Sequence, residues 1–126
     1  MPNVTCAVQK DNSPQITERT FQFAITIIAL CQYLEKEGTV SKVLSTQLLK
    51  SGTSVGANVE EAQAGQSKAD FTAKMSIARK EARETNYWLR LLKESRIVRS
   101  TDLDILLEES DQLVRILTSI VKSAQK

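Results

Sequence analysis

After Pro14 the chain contains no proline in its remaining 112 residues, and it has four glycines among 126 residues. Proline interrupts helices, and glycine and proline shape the turns that hairpins and β-sandwiches need. A stretch so poor in both residue types nearly excludes an all-β fold and favours long helices. With 41% hydrophobic and 25% charged residues, the composition is typical of one soluble globular domain.

Periodic apolar residues predict four helices, which follow a flexible N-terminal arm at residues 1–13. Ser13 is the expected N-cap of helix 1, with Pro14 in its first turn, and Gly38 and Gly65 are expected to end helices 1 and 2. The predicted spans are residues 14–37, 39–64, 68–94 and 101–124. Helices of this length with short connections must pack antiparallel. The sequence therefore predicts an all-α, up-down-up-down, left-handed four-helix bundle.

Helix 3 has the clearest core stripe, because apolar or small residues recur in steps of four and three. It begins with a capping-box pattern at Ser67, and helix 4 begins at Ser100 or Thr101. The middle of the helix 3 stripe, from Ala78 to Thr85, is small, and so is the middle of helix 2, where residues 51–57 include two glycines. We expect these two small patches to oppose each other, so that helices 2 and 3 approach closely.

Two helices carry more apolar surface than a single bundle needs. Apolar residues cover more than half the circumference of helix 1, so we expect this helix to be central or buried between subunits. On helix 3, Tyr87, Trp88 and Leu91 form a second apolar edge beside the core stripe. Such an edge favours contact with another copy or a protein partner, and the alternative is packing at the edge of the chain's own bundle. We therefore expect an oligomer.

Basic residues are concentrated on helix 3. Residues 68–99 contain nine basic and four acidic residues, although the whole chain has a net charge of only +2. Arg79, Arg83 and Arg90 share one flank of this helix, and Lys93 lies nearer its core stripe. Arginine and lysine arrayed along one surface predict contact with nucleic-acid phosphates, and the alternative is a solvated helix face.

The chain has no histidine, so it lacks the commonest general base and the commonest metal ligand. A Ser-His-Asp triad and a di-iron Glu-x-x-His pair are thereby excluded. Glu60, Glu61, Glu81 and Glu84 are the acidic residues that could meet inside the bundle, and solvated carboxylates are favoured over a metal site. We expect no enzymatic activity, no cofactor and no metal.

Two cysteines, Cys6 and Cys31, lack the spacing of a metal site or a disulfide scaffold. We interpret both as free thiols in a reducing cytoplasm. The longest apolar stretch, residues 23–31, is too short to cross a membrane, and the N-terminus lacks the pattern of a signal peptide. The expected location is cytoplasmic, with no membrane partner.

Residues 48–62 and 75–92, with Ser67 and Asp70-Phe71 between them, resemble the four-helix bundle protein family, also called 23S rRNA-intervening-sequence proteins. The resemblance begins near Thr20 and is strongest over helices 2 and 3. Ala62 stands where glycine is usual in that family. The family's structural signature falls on Ser54, Asn58, Glu61 and Glu84.

The resemblance implies a bacterial bundle that assembles as a ring-like homopentamer and has no established enzymatic activity. Some members of the family are encoded inside insertions in ribosomal RNA genes. The accessory variability proteins of diversity-generating retroelements are similar and work with a reverse transcriptase through a basic surface. Two interpretations of the function follow. The bundle binds RNA or DNA through helix 3, or it is a scaffold for a protein partner such as a reverse transcriptase. A hydrolase or metal enzyme is the least favoured class.

Overall fold

The computed structural model describes residues 15–126, so the predicted arm and the Ser13-Pro14 helix start lie outside the described residues. The described chain forms α1 (Ile16–Glu35), α2 (Thr39–Gln63), α3 (Lys68–Glu94) and α4 (Thr101–Ala124), and no strand occurs in this range. Consecutive helices pack closely, whereas α1 and α4 pack against each other much less. The predicted all-α four-helix bundle is confirmed. None of the helices in residues 15–126 is apolar over a length that could cross a bilayer.

Serine side chains cap the starts of α3 and α4. The Ser67 hydroxyl oxygen accepts the backbone N–H of Asp70 at 3.1 Å, as the capping pattern predicts. The Ser100 hydroxyl oxygen accepts the backbone N–H of Asp102 at 3.0 Å. Ser100, rather than Thr101, is therefore the N-cap of α4. Acidic residues in both first turns match the positive end of the helix dipole.

The helix ends use glycine less than the sequence suggests. Gly38 has φ of 123°, a conformation open mainly to glycine, and α1 already ends at Glu35. Helix α2 ends at Gln63, and Gly65 does not have a positive φ. The left-handed residue that follows α3 is Arg96, with φ of 62° at a position where glycine is usual.

The buried core has two layers. The layer with the larger side chains draws on all four helices and includes Phe23, Leu48, Leu89 and Leu113. The other layer contains smaller side chains from α2, α3 and α4, such as Val55, Ala78, Ala82 and Val121. Every residue of the predicted α3 stripe from Met75 to Leu92 is buried, because its four-three spacing keeps that side of the helix facing the core.

The small segment of α2 contacts two helices rather than one. Ser51 faces α3, where the Thr85 hydroxyl donates to the Ser51 hydroxyl oxygen at 2.9 Å. The glycines face α1 instead. A Cβ added at Gly52 would lie 2.8 Å from Cγ2 of Ile27, and one added at Gly56 would lie 3.2 Å from the backbone oxygen of Thr20.

The expectation that the α2 glycines oppose the small residues of α3 was therefore wrong. Successive helical residues point about 100° apart, so Ser51 and Gly52 face different neighbours. The close approach that the glycines allow is between α1 and α2.

Candidate nucleic-acid interface

The basic flank comprises Arg79, Arg83, Arg90 and Lys93, which lie along the side of α3 nearer to α4. Arg83, Arg90 and Lys93 are exposed, and Arg79 is half-buried. At a rise of 1.5 Å per residue, the flank extends over about 21 Å. The fold thus aligns four cationic side chains along one rigid helix.

Part of the basic flank interacts with the bundle itself. Lys93 Nζ lies 2.8 Å from Asp104 Oδ1 of α4, and this hydrogen-bonded ion pair raises the pKa of the lysine. Arg90 Nε donates to Asn86 Oδ1 at 2.9 Å. Lys93 and Arg19 form ion pairs with Asp104 and Glu109, whereas Arg79 and Arg83 form none with residues 15–126. Their charges are the least compensated on this flank.

The three residues of the predicted oligomer interface lie in different surroundings. Tyr87 is 47% exposed, and the guanidinium carbon of Arg90 lies 5.7 Å from the centre of its ring. Trp88 is half-buried and packs against the large-residue core layer. Its indole N–H donates to Glu84 Oε2 at 3.3 Å. Leu91 is also half-buried. Trp88 thus belongs partly to the bundle, while Tyr87 points outward.

Three of the four signature residues make side-chain hydrogen bonds within their own helices. The Ser54 hydroxyl donates to the Lys50 carbonyl at 2.6 Å, and Asn58 Nδ2 donates to the Ser54 carbonyl at 2.8 Å. Glu84 accepts the Trp88 indole N–H, and Glu61 is exposed. Within residues 15–126, no group of three or more Asp, Glu or Cys side chains is arranged to hold a metal ion. The hydrogen bonds of Ser54, Asn58 and Glu84 therefore stabilise the helices in which these residues lie.

Cys31 lies in the core and is hydrogen-bonded to Ser45 across the contact between α1 and α2. The Ser45 hydroxyl donates to the Cys31 carbonyl at 3.1 Å, and the thiol sulfur lies 3.5 Å from the Ser45 carbonyl oxygen. Burial raises the pKa of this thiol, and Glu35 adds a smaller effect in the same direction. A buried thiol of raised pKa is a packing residue rather than a nucleophile. Cys6 lies outside the described residues.

A family model described as 23S rRNA-intervening sequence protein matches residues 12–119. The chain belongs to this family. The solved structure of a protein with unknown function from the S23 ribosomal protein family of Bacteroides thetaiotaomicron is 37% identical in sequence to this chain. It has a TM-score of 0.79, and the alignment covers 86% of this chain and 99% of that one. No curated protein matches this chain. The family resemblance drawn from the sequence is confirmed.

This member of the 23S rRNA-intervening sequence protein family also exposes apolar residues on α1. We define the α1/α2 face as Phe21, Ile25, Ile28 and Leu49, all of which are exposed, Phe21 by 55%. The face lies outside the seam at which the α2 glycines meet α1. The wide apolar surface of α1 predicted that some of its apolar residues would remain uncovered. Which residues these are depends on the side of α1 that the neighbouring helix covers.

A buried ion pair that the sequence does not reveal joins α1 to α4 in this family member. Arg19 Nη2 and Nε lie 2.5 and 3.1 Å from the two carboxylate oxygens of Glu109. The same Nη2 donates to the side-chain oxygen of Gln112 at 3.0 Å. The side chains of Arg19 and Glu109 are 10% and 3% exposed. One signal was available, because Glu109 falls within the apolar stripe between Leu106 and Leu113.

Proposed function

We propose that this chain is a non-enzymatic, homo-oligomeric interaction module that binds RNA or another nucleic acid weakly through the basic flank of α3. The observation that carries this proposal is the alignment of Arg79, Arg83 and Arg90 without an ion pair in residues 15–126. Uncompensated guanidinium groups along one helix can bind successive phosphates. Binding through one copy is weak because Lys93 already shares its charge with Asp104.

We further propose that five copies form a ring, as the family resemblance implies. Support comes from the α1/α2 face, where Phe21, Ile25 and Ile28 recur on one side of α1 and remain exposed, since exposed apolar patches mark protein contacts. The second apolar edge, near Leu91, belongs to a different helix. A contact between two unlike faces is heterologous, and such contacts form a ring when the rotation from one copy to the next closes. A ring repeats the basic flank, which raises the avidity for a polyanion without any stronger single contact.

The α1/α2 face makes self-association testable. We expect Ile28→Asp to weaken association at least about thirtyfold, because it places an unpaired charge in an apolar contact. The measurement is native mass by sedimentation across a range of protein concentrations, with circular dichroism as the check on folding. Ser119→Asp, at an exposed position on α4, is the matched control and should leave the mass unchanged. A single-copy wild-type particle would contradict the proposal.

The basic flank predicts a salt-sensitive interaction with RNA. We expect binding of a labelled single-stranded RNA to weaken steeply as salt rises, with a logarithmic slope of about 0.7 for each phosphate contacted. Arg83→Glu should weaken binding and reduce the magnitude of that slope by about 0.7, the contribution of one phosphate contact. Arg115→Glu makes the same charge change at an exposed position on α4 and should have little effect. Binding independent of salt, or no binding at low salt, would count against the proposal.

The second candidate function is a scaffold for a protein partner, such as a reverse transcriptase, with no nucleic-acid contact. It is favoured by Val40 and Val43, which are exposed in the first turns of α2. It also accords with the bonds of Lys93 and Arg90 to the bundle itself. Recovery of a partner by wild type and equally by a variant with both Arg79→Glu and Arg83→Glu would favour this candidate.

A further inference from the structure

Three cationic side chains and one aromatic ring lie in a row along the exposed side of α3. Lys80, Arg83, Tyr87 and Arg90 are all exposed, and their spacing of three, four and three residues places them on one side of the helix. We call this set the cation–aromatic stripe. At 1.5 Å per residue it extends over about 15 Å. It places one aromatic ring between cations on both sides along the helix axis.

The Tyr87 ring is held in place by its neighbours. Its centre lies 5.0 Å from that of the Trp88 ring, with the two planes 71° apart. Trp88 is itself fixed by core packing and by its hydrogen bond to Glu84. The guanidinium of Arg90 lies over the Tyr87 ring at 5.7 Å. An ordered ring that remains half exposed needs little further ordering to accept a flat ligand.

Aromatic rings discriminate between single and double strands. Bases of a single strand can unstack and lie on a tyrosine, whereas bases inside a duplex are already stacked and paired. A duplex can therefore use the lysine and arginines of the stripe but not the ring. Exposed cations that flank an exposed aromatic ring complement an alternation of phosphates and bases.

We infer that the cation–aromatic stripe binds a single-stranded segment of nucleic acid, with Tyr87 stacking on a base while Lys80, Arg83 and Arg90 contact flanking phosphates. This inference rests on the proposed function and names the ligand class of the same helix face. It assigns Tyr87 to the ligand rather than to the subunit contact that the sequence predicted for it. Leu91 and the α1/α2 face remain available for self-association.

The test compares one RNA of about 16 nucleotides, the upper range for one single-strand site, with the duplex it forms with its complement. Fluorescence anisotropy at low salt should show tighter binding of the single strand. Tyr87→Leu should weaken single-strand binding by about 5- to 150-fold, the range measured for loss of one stacked base. Duplex binding should be unchanged. Tyr87→Phe keeps the ring and should stay within about twofold of wild type.

Tyr33→Leu removes the other tyrosine, which is half-buried against the core on α1, and should leave both affinities unchanged. Equal binding of single strand and duplex, with no effect of Tyr87→Leu, would overturn this inference and leave the basic flank as the binding surface. Equal losses in Tyr87→Phe and Tyr87→Leu would also overturn it, since stacking does not need the hydroxyl. A change of native mass in Tyr87→Leu would place this residue in the subunit contact. No binding of either RNA at low salt would remove the proposed function as well.

Discussion

Glu109→Ala is expected to lower the free energy of unfolding by about 3–5 kcal/mol, the usual cost of removing one partner of a buried ion pair. The loss is large because Arg19 would keep its charge in a site where only 10% of its side chain reaches solvent. Gln112 supplies one neutral oxygen and cannot replace the carboxylate. Urea unfolding at one fixed protein concentration measures the change, and the midpoint should fall while the slope stays constant.

Two variants separate the buried charge from other effects at Glu109. Glu108→Ala removes an exposed carboxylate from the same turn of α4 and should stay within about 0.5 kcal/mol of wild type. The double variant Arg19→Met with Glu109→Leu should recover most of the loss, because apolar pairs of similar volume replace buried ion pairs well. If Glu109→Ala unfolds at the wild-type midpoint, the Arg19 charge reaches water and the pair is not structural.

Gly56→Leu is expected to lower the free energy of unfolding by about 3 kcal/mol, the upper end of the usual cost of overpacking. The Cβ alone would lie 3.2 Å from the backbone oxygen of Thr20, and the rest of the leucine side chain would extend into α1. A backbone atom within a helix cannot rotate away as a flexible side chain can. The substitution should therefore force α1 from α2, and thermal unfolding followed by circular dichroism measures the loss.

Smaller substitutions define the origin of that effect. Gly56→Ala adds the crowded Cβ but gains about 1 kcal/mol of helix propensity, so its net effect should be much smaller than that of leucine. Ala57→Leu places the same side chain one residue later, at an exposed position, and should stay within about 0.5 kcal/mol of wild type. An unchanged melting temperature for Gly56→Leu would mean that α1 does not approach α2 at this point.

The helices were predictable from sequence because hydrophobic periodicity reports directly which side of each helix is buried. The stripe from Met75 to Leu92 and the cap at Ser67 are both local properties of α3. The neighbour that covers each side is not a local property. Both α1 and α3 flank α2, so the sequence could not assign Gly52 and Gly56 to α1.

The candidate site was likewise predictable where it depends on spacing within one helix, but not where it depends on how neighbouring helices pack. The alignment of Arg83 and Arg90 follows from helical spacing, whereas the Lys93–Asp104 pair depends on how α3 and α4 are staggered. Tyr87 and Trp88 are neighbours in sequence, but their side chains point about 100° apart around the helix. The prediction that both belong to one apolar edge therefore missed that their surroundings differ.

The Arg19–Glu109 pair was not predicted either, because its two residues are far apart along the chain. It joins residues 90 positions apart, so the apolar stripe around Glu109 indicates that this residue is buried but does not identify its partner. Only the folded arrangement brings the two side chains together.

Close packing between consecutive helices has a consequence for the order of folding. Each of the three tight seams joins sequence neighbours, so each can form after closure of a short loop, which favours fast folding. The sparse α1–α4 seam requires the first and last helices to meet. We therefore expect the α1–α4 contact to form after the rate-limiting step of folding. A destabilising substitution in this contact should then speed unfolding more than it slows folding.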